Sequence, residues 1–230
     1  MKRLPYITLS VIAAAVALIW ACRNIGSPVY LSVDKITAGI FLEEERAVLP
    51  PGVELRGIYE KGLKLTKDSE GFRNHLYNDA ARYCTIAYGH LVKLAPCDGS
   101  EPSHFLDGVT EPEGADLLRD DMETAETVVL TAVDVELTDG QYAALCDFVY
   151  NVGGGNFRSS TLRKVVNRKA FGEVPFQLRR WVKAGGREFP GLKTRREREI
   201  ELFFENMTIP RAVPPADMDL TPIDIREGES

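Results

Sequence analysis

Cysteine is scarce. Four residues in a chain of 230 are too few for the disulfide scaffold that holds small secreted domains together. Their spacing offers no close C-x₂₋₄-C pair, so Cys84, His90, Cys97 and His104 do not read as a structural zinc site. No metal and no other cofactor is expected. There is no Gly-X-Y period, heptad bias or internal repeat, which excludes fibres and solenoids. Nor is there a large excess of one charge. With 28 basic and 34 acidic side chains the formal net charge is −6, which argues against a nucleic-acid partner. What is present is an apolar fraction of 44%, which excludes a wholly disordered chain. The length suits one large domain or two small ones.

The near-balance of charge hides a polarised chain. From Cys97 to Asp139 there are 13 acids and one base, Arg119; from Arg158 to Arg198 there are 13 bases and 3 acids. Two arrangements account for this. Either the two runs pack side by side and neutralise each other, or the basic run faces an anionic polymer while the acidic run keeps the protein soluble.

The amino terminus reads as an address. Lys2 and Arg3 precede an uncharged run from Leu4 to Cys22, about 19 residues, which at 1.5 Å each just spans a bilayer core. Leading positive charges stay in the cytoplasm, so the remainder is expected to cross. Three readings compete. Ala15-Val16-Ala17 offers a signal-peptide cleavage site, and Cys22 offers a lipid attachment point, although Trp20 fits that poorly. The third is an uncleaved anchor. Five alanines with Thr8 and Ser10 make the span only modestly apolar, suited to weak insertion and later departure from the membrane.

Residues 1–22 are therefore assigned to a signal anchor, and 23–59, with Gly26, Pro28, Pro50, Pro51 and Gly52, to a tether on the exported side. Residues 207–230 carry four prolines and five acids and read as a flexible tail. The folded domain is expected over 60–206. A short helix ends at Gly71, a small hairpin covers 75–90, and 91–109 is irregular. Thr110 with Glu113 forms a capping box for a helix to about Val133. Thr138 caps another that stops near Gly153. A helix from Ser159 or Ser160 to Lys169 follows, then helices over about 173–184 and 194–206. The class is α+β, a small β element on a mainly helical domain.

The chemistry concentrates at Glu70, Asp79 and Thr85. Glu70 lies at a helix C-terminus, where the dipole disfavours its charged form, and beside Phe72; a carboxyl kept protonated there is a general acid. Asp79 lies in a polar turn that favours the carboxylate, and Thr85 can hold a water between itself and Asp79. One protonated acid, one carboxylate and a positioned water is what glycosidic-bond hydrolysis requires. The pair alone is also compatible with two solvated surface acids.

Glu70, Asp79, Thr85 and Tyr88-Gly89-His90 together resemble the catalytic signature of the phage-type lysozymes, glycoside hydrolase family 24, the bacteriophage T4 lysozyme group. Two later blocks carry the same resemblance: Phe148-Val149-Tyr150-Asn151-Val152-Gly153 with Ser160-Thr161-Leu162, and Gln177-Leu178-Arg179-Arg180-Trp181 with Ala184-Gly185-Gly186 and Thr194-Arg195-Arg196-Glu197. They are similar to endolysins of lambdoid phages in order and spacing over about residues 61–205. The resemblance implies a lysozyme-like fold and a muramidase that cleaves the β-1,4 bond between N-acetylmuramic acid and N-acetylglucosamine in bacterial peptidoglycan during host lysis. It implies Glu70 as the acid, Asp79 as base or electrostatic partner, Thr85 as the water-positioning hydroxyl and Asn151 as a sugar contact. Family members commonly have Gly, Trp and Gly where this chain has Arg82, Cys84 and Ala87. Losing glycine restricts a turn, so a differently shaped hairpin is expected. A catalytically dead wall-binding module is the alternative this departure suggests. Trp181 reads as core.

The amino terminus is similar to that of signal-anchor-release endolysins. That class is exported by the host machinery, held inactive on the periplasmic side of the inner membrane, and freed to the periplasm when the membrane loses its energy. A monomer is expected. A local Cys84–Cys97 bridge would staple the catalytic hairpin, with Cys146 a buried thiol. Cys22, freed from the membrane, would exchange with a bridge containing Cys84.

Overall fold

The computed structural model describes residue 49 and residues 51–211 and 213–229. The expected anchor over 1–22, including Cys22, and most of the expected tether lie outside the described residues. Among the described residues no helix is long and apolar enough to cross a membrane.

The first helix, α1 (Glu60–Glu70), buries Leu63 and Leu65 and stops at Gly71, whose φ of 74° ends the helical path. Three antiparallel strands follow: β1 (Arg73–Asn78), β2 (Cys84–Ala87) and β3 (His90–Lys93), in spatial order β1-β2-β3. The expected two-stranded hairpin gains its third strand because Gly89, at φ 92°, turns the chain back at once, and His90 pairs with Ile86. Within the stretch expected to be irregular, α2 (Ser103–Leu106) supplies Phe105 to a small core with Ile86, Ala87 and Val109.

Arg82 and Ala87, the two positions where the resemblance leads to an expectation of glycine, hold φ values of 65° and 57°. The left-handed backbone that glycine favours is therefore kept by residues that adopt it only at a cost. Local strain is therefore stored at both turns.

The helical part begins with α3 (Glu111–Ala132), whose capping box between Thr110 and Glu113 has both of its reciprocal bonds. A second box, Thr138 with Gln141, opens α4 (Asp139–Val152). Only Asp139 and Asn151 on α4 escape full burial, as befits a helix surrounded by the core. Helices α5 (Gly154–Ser159), α6 (Thr161–Asn167, capped by Ser160), α7 (Val174–Arg179) and α8 (Pro190–Phe203) complete this part.

Two expectations are corrected. The helix predicted to reach Ala184 ends at Arg179, and Trp181–Ala184 is a strand, β4. Gly185 and Gly186, both at positive φ, close a hairpin to β5 (Arg187–Glu188) instead of capping a helix. The tail expected to be flexible is not loose. Its residues 223–224 form β6, parallel to β4 on the side opposite β5. Proline and acid content suggested disorder, but Ile223 and Ile225 alternate about Asp224, and both isoleucines are buried in the main core.

Trp181 is buried and meets Phe148 edge-on at 5.4 Å between ring centroids. Among the described residues no ion pair joins the two charged runs. The basic run pairs with its own acids and with the tail, as in Arg179–Glu197, Lys193–Glu188 and Arg180–Asp219. The acidic run instead meets earlier residues, as in Arg119–Glu60, Lys93–Asp98 and His90–Asp121.

Candidate active site

Glu70 ends α1 with its side chain 10% exposed, and its Oε1 accepts a hydrogen bond from Arg195 Nη1 at 2.7 Å. The sequence reading gave this carboxyl an apolar neighbour and missed the arginine, which stands 125 residues away on α8. Arg195 also grips Asp147 of α4 as a fork, through Nε and Nη2, both at 2.9 Å. Thr66 Oγ1 donates to Asp147 as well, at 2.8 Å. Burial would raise the Asp147 carboxyl, but the charge of Arg195 outweighs it and holds the group below the usual carboxylate range.

A second layer lies behind. Glu199, one helical turn from Arg195, is fully buried, and burial together with the Asp147 charge pushes its carboxyl well above the usual range. Arg196 Nη2 reaches Glu199 at 2.7 Å and also donates to Asn151 Oδ1 at 2.7 Å, while its guanidinium lies over the Phe148 ring. The bond to Arg196 decides which way the Asn151 amide points. Its oxygen is engaged in the interior, so its NH₂ remains a donor.

Asp79 and Thr85 sit on the β-sheet side and are coupled through one residue. Asp79 Oδ1 accepts from Tyr83 N at 2.8 Å, and Thr85 Oγ1 donates to Tyr83 O at 3.0 Å. Thr85 retains an acceptor lone pair for a water. Cys84, directly before Thr85, is disulfide-bonded to Cys97, while Cys146 is a buried free thiol. Among the described residues, Cys84, Cys97 and Glu101 form the one grouping spaced like metal ligands, and its two sulfurs are already bonded to each other. Tyr88 and His90 fasten the sheet to α3: Tyr88 Oη donates to Glu111 at 3.0 Å, and His90 Nδ1 lies 3.1 Å from Asp121.

A cleft of about 430 Å³ opens beside Glu70 and Asn151, a size suited to a small ligand or one or two sugar rings. Ala184, Phe189, Leu192 and Ile225 give it an apolar side, and Thr194, Arg195 and Arg198 a polar one. Asp79 and Thr85 are not among its lining residues. The cleft thus joins two of the four residues singled out in the sequence, and the β1–β2 turn and β2 carry the other two.

A family model described as phage lysozyme matches residues 67–199. The chain belongs to the phage lysozyme family. A SAR-endolysin of bacteriophage PS119 is 38% identical over 135 residues, covering 58% of this chain and 75% of the relative. An endolysin of Bacillus phage B103 is 36% identical over 148 residues, 64% of this chain; the chain spans about half the length of that relative, 53%. Among solved structures, a P22 lysozyme mutant is 31% identical with a TM-score of 0.57, covering 64% of this chain and 98% of the other. The muramidase domain of SpmX from Asticaccaulis excentricus is 27% identical with a TM-score of 0.56, over 64% and 96%.

Proposed function

We infer that this chain is an endolysin that hydrolyses the β-1,4 bond between N-acetylmuramic acid and N-acetylglucosamine in bacterial peptidoglycan. The observation that carries the reading is Glu70: a carboxyl at a helix end, in a cleft, braced by a buried arginine, within the family's own domain. Glu70 gives its proton to the glycosidic oxygen as the bond to the muramic acid anomeric carbon breaks. A water held by Thr85 attacks that carbon from the opposite face and passes its proton to Asp79, which inverts the configuration. The Asn151 NH₂ donates to the sugar. No metal or cofactor takes part.

Loss of turbidity of purified peptidoglycan tests the reading. Activity that disappears in Glu70→Gln, with products ending in a reducing muramic acid, supports it. Products ending in an anhydro-sugar would assign a lytic transglycosylase instead.

On the same reading residues 1–22 export the chain through the host machinery and hold it on the periplasmic side of the inner membrane, residues 23–59 tether it, and residues 60–206 act as a monomer after release to the periplasm. The relatives named SAR-endolysins support this course. Cys22 then serves as a switch. Its thiolate attacks one sulfur of the Cys84–Cys97 bridge, a new disulfide forms, and the other cysteine leaves as a thiolate with the electron pair. Unchanged release timing and activity in Cys22→Ser would refute the switch. N-terminal sequencing of the exported protein separates tethered, lipidated and cleaved forms.

A further inference from the structure

The matched family region ends at residue 199, yet Ile225 lines the same cleft as Glu70 and Asn151. We propose that the C-terminal segment 219–229 is a wall of the substrate cleft, and that Ile225 is a specificity-determining residue that packs on a methyl-bearing substituent of the bound glycan. The proposal rests on the glycosidase reading above.

The segment has a built seat. Arg180, only 5% exposed, donates from Nε to Thr221 O at 3.1 Å, from Nη2 to Asp219 at 2.7 Å and from Nη1 to Glu229. Glu229 in turn accepts from Thr161 N and Oγ1, at the start of α6. Ile225 itself is pinned at both ends of its peptide frame. Its N–H donates to Lys183 O at 2.9 Å, and its C=O accepts from Asn156 Nδ2 at 2.8 Å. Gly228 is needed for this fit: its φ is 81°, and a Cβ there would stand 2.5 Å from Asn156 Oδ1. These bonds fix Ile225 beside the cleft.

The wall's chemistry points to its ligand. The 6% of Ile225 that the core leaves exposed continues the apolar side, and Asn151 offers an amide donor in the same cleft. A substituent with one carbonyl oxygen and one methyl group satisfies both. The acetamido group has this form, and the lactyl-linked stem of muramic acid shares it.

The test is steady-state hydrolysis of peptidoglycan, alone and with a chito-oligosaccharide as competitive inhibitor, which carries acetamido but no lactyl groups. Truncating a wall residue by two or three carbons raises KM by roughly five-fold or more, with kcat held within about two-fold. Ile225→Ala is expected to do this, and Gly228→Ala, remote from the reacting atoms, to shift KM in the same direction. A rise in KM together with a rise in the inhibition constant of the chito-oligosaccharide assigns the acetamido group, and a rise in KM alone the lactyl group. A lowered melting temperature with both constants unchanged overturns the proposal and leaves the segment a structural clasp. If the variants do not fold, amide hydrogen exchange decides in the Glu70→Gln full chain. Added glycan strands are expected to slow exchange at residues 223–225, and unchanged exchange overturns the proposal. A wild-type chain that releases no sugar ends refutes the glycosidase reading, whereas an active one with KM insensitive to Ile225 refutes only this wall.

Discussion

Arg195 bonds Glu70 and Asp147 with one guanidinium, at 2.7 Å and 2.9 Å, and so ties the end of the first helix to the central and last ones. The candidate acid is thereby positioned by the core of the helical part. Burial acts on both Asp147 and Glu199, but Arg195 holds the Asp147 carboxyl below the usual range while the Glu199 carboxyl stays well above it.

Removing that guanidinium leaves Asp147 buried and uncompensated. Arg195→Met is expected to cost about 3–5 kcal/mol in a urea melt. Arg195→Lys keeps the charge but cannot grip Asp147 as a fork while also reaching Glu70. It is expected to cost less stability than the methionine and to lower kcat more than KM, read by peptidoglycan hydrolysis. Equal losses for both substitutions would show that geometry adds nothing to charge here.

The strain in the hairpin is separable from activity. Arg82 is at φ 65°, where a side chain costs about 1–2 kcal/mol, and glycine forfeits about 0.5–1 kcal/mol of that through unfolded-state entropy. Arg82→Gly is therefore expected to stabilise the protein by up to ~1 kcal/mol, seen as a higher denaturation midpoint at unchanged slope. Ala87 does not offer the same gain, because its methyl is buried in the small core with Ile86 and Phe105.

Stability is expected to fall between about pH 4.5 and 7. Burial raises Glu126 from its ordinary 4.5 to about 7, against the bond it accepts from Ile58 N. The folded state therefore holds this proton more tightly than the unfolded chain, and that advantage is lost as pH rises through the window. His90 adds to the same slope. Burial alone would lower its value, but Asp121 raises it, so its contribution is complete below 6.5 and lost as pH passes the higher folded value. Melting temperatures of Glu126→Gln across this range are expected to vary less with pH than those of wild type. An identical slope would remove Glu126 from the account.

Much of this molecule was legible in the sequence where the signals are local. Gly71 ends a helix, Thr110–Glu113 and Thr138–Gln141 open two, and Cys84 and Cys97 lie near enough to bridge. The misreadings are long-range. Trp181–Ala184 has helical spacing next to a helix, and only pairing with β5 and with a segment some forty residues later makes it a strand. The tail was read from its prolines, yet two isoleucines and the bonds to Arg180 decide its place. Arg195 could not be tied to Glu70 from spacing, since nothing local joins positions 125 apart.

The Cys84–Cys97 bridge closes a loop of sequence separation 13 directly before Thr85. In the chain-entropy account, closing such a loop contributes about 3 kcal/mol by constraining the unfolded state. Cys84→Ser with Cys97→Ser is therefore expected to lower stability by about 2–4 kcal/mol. The activity effect has a different origin. Cys97 N donates to Asn78 Oδ1 at 2.8 Å, so the bridge also secures the strand end that leads into Asp79. Freed of it, Asp79 and Thr85 lose their fixed register across Tyr83, while Glu70 keeps its hold on Arg195. Below the melting range the double variant is expected to lose kcat at nearly unchanged KM. A variant that melts earlier but turns over normally would confine the bridge to stability.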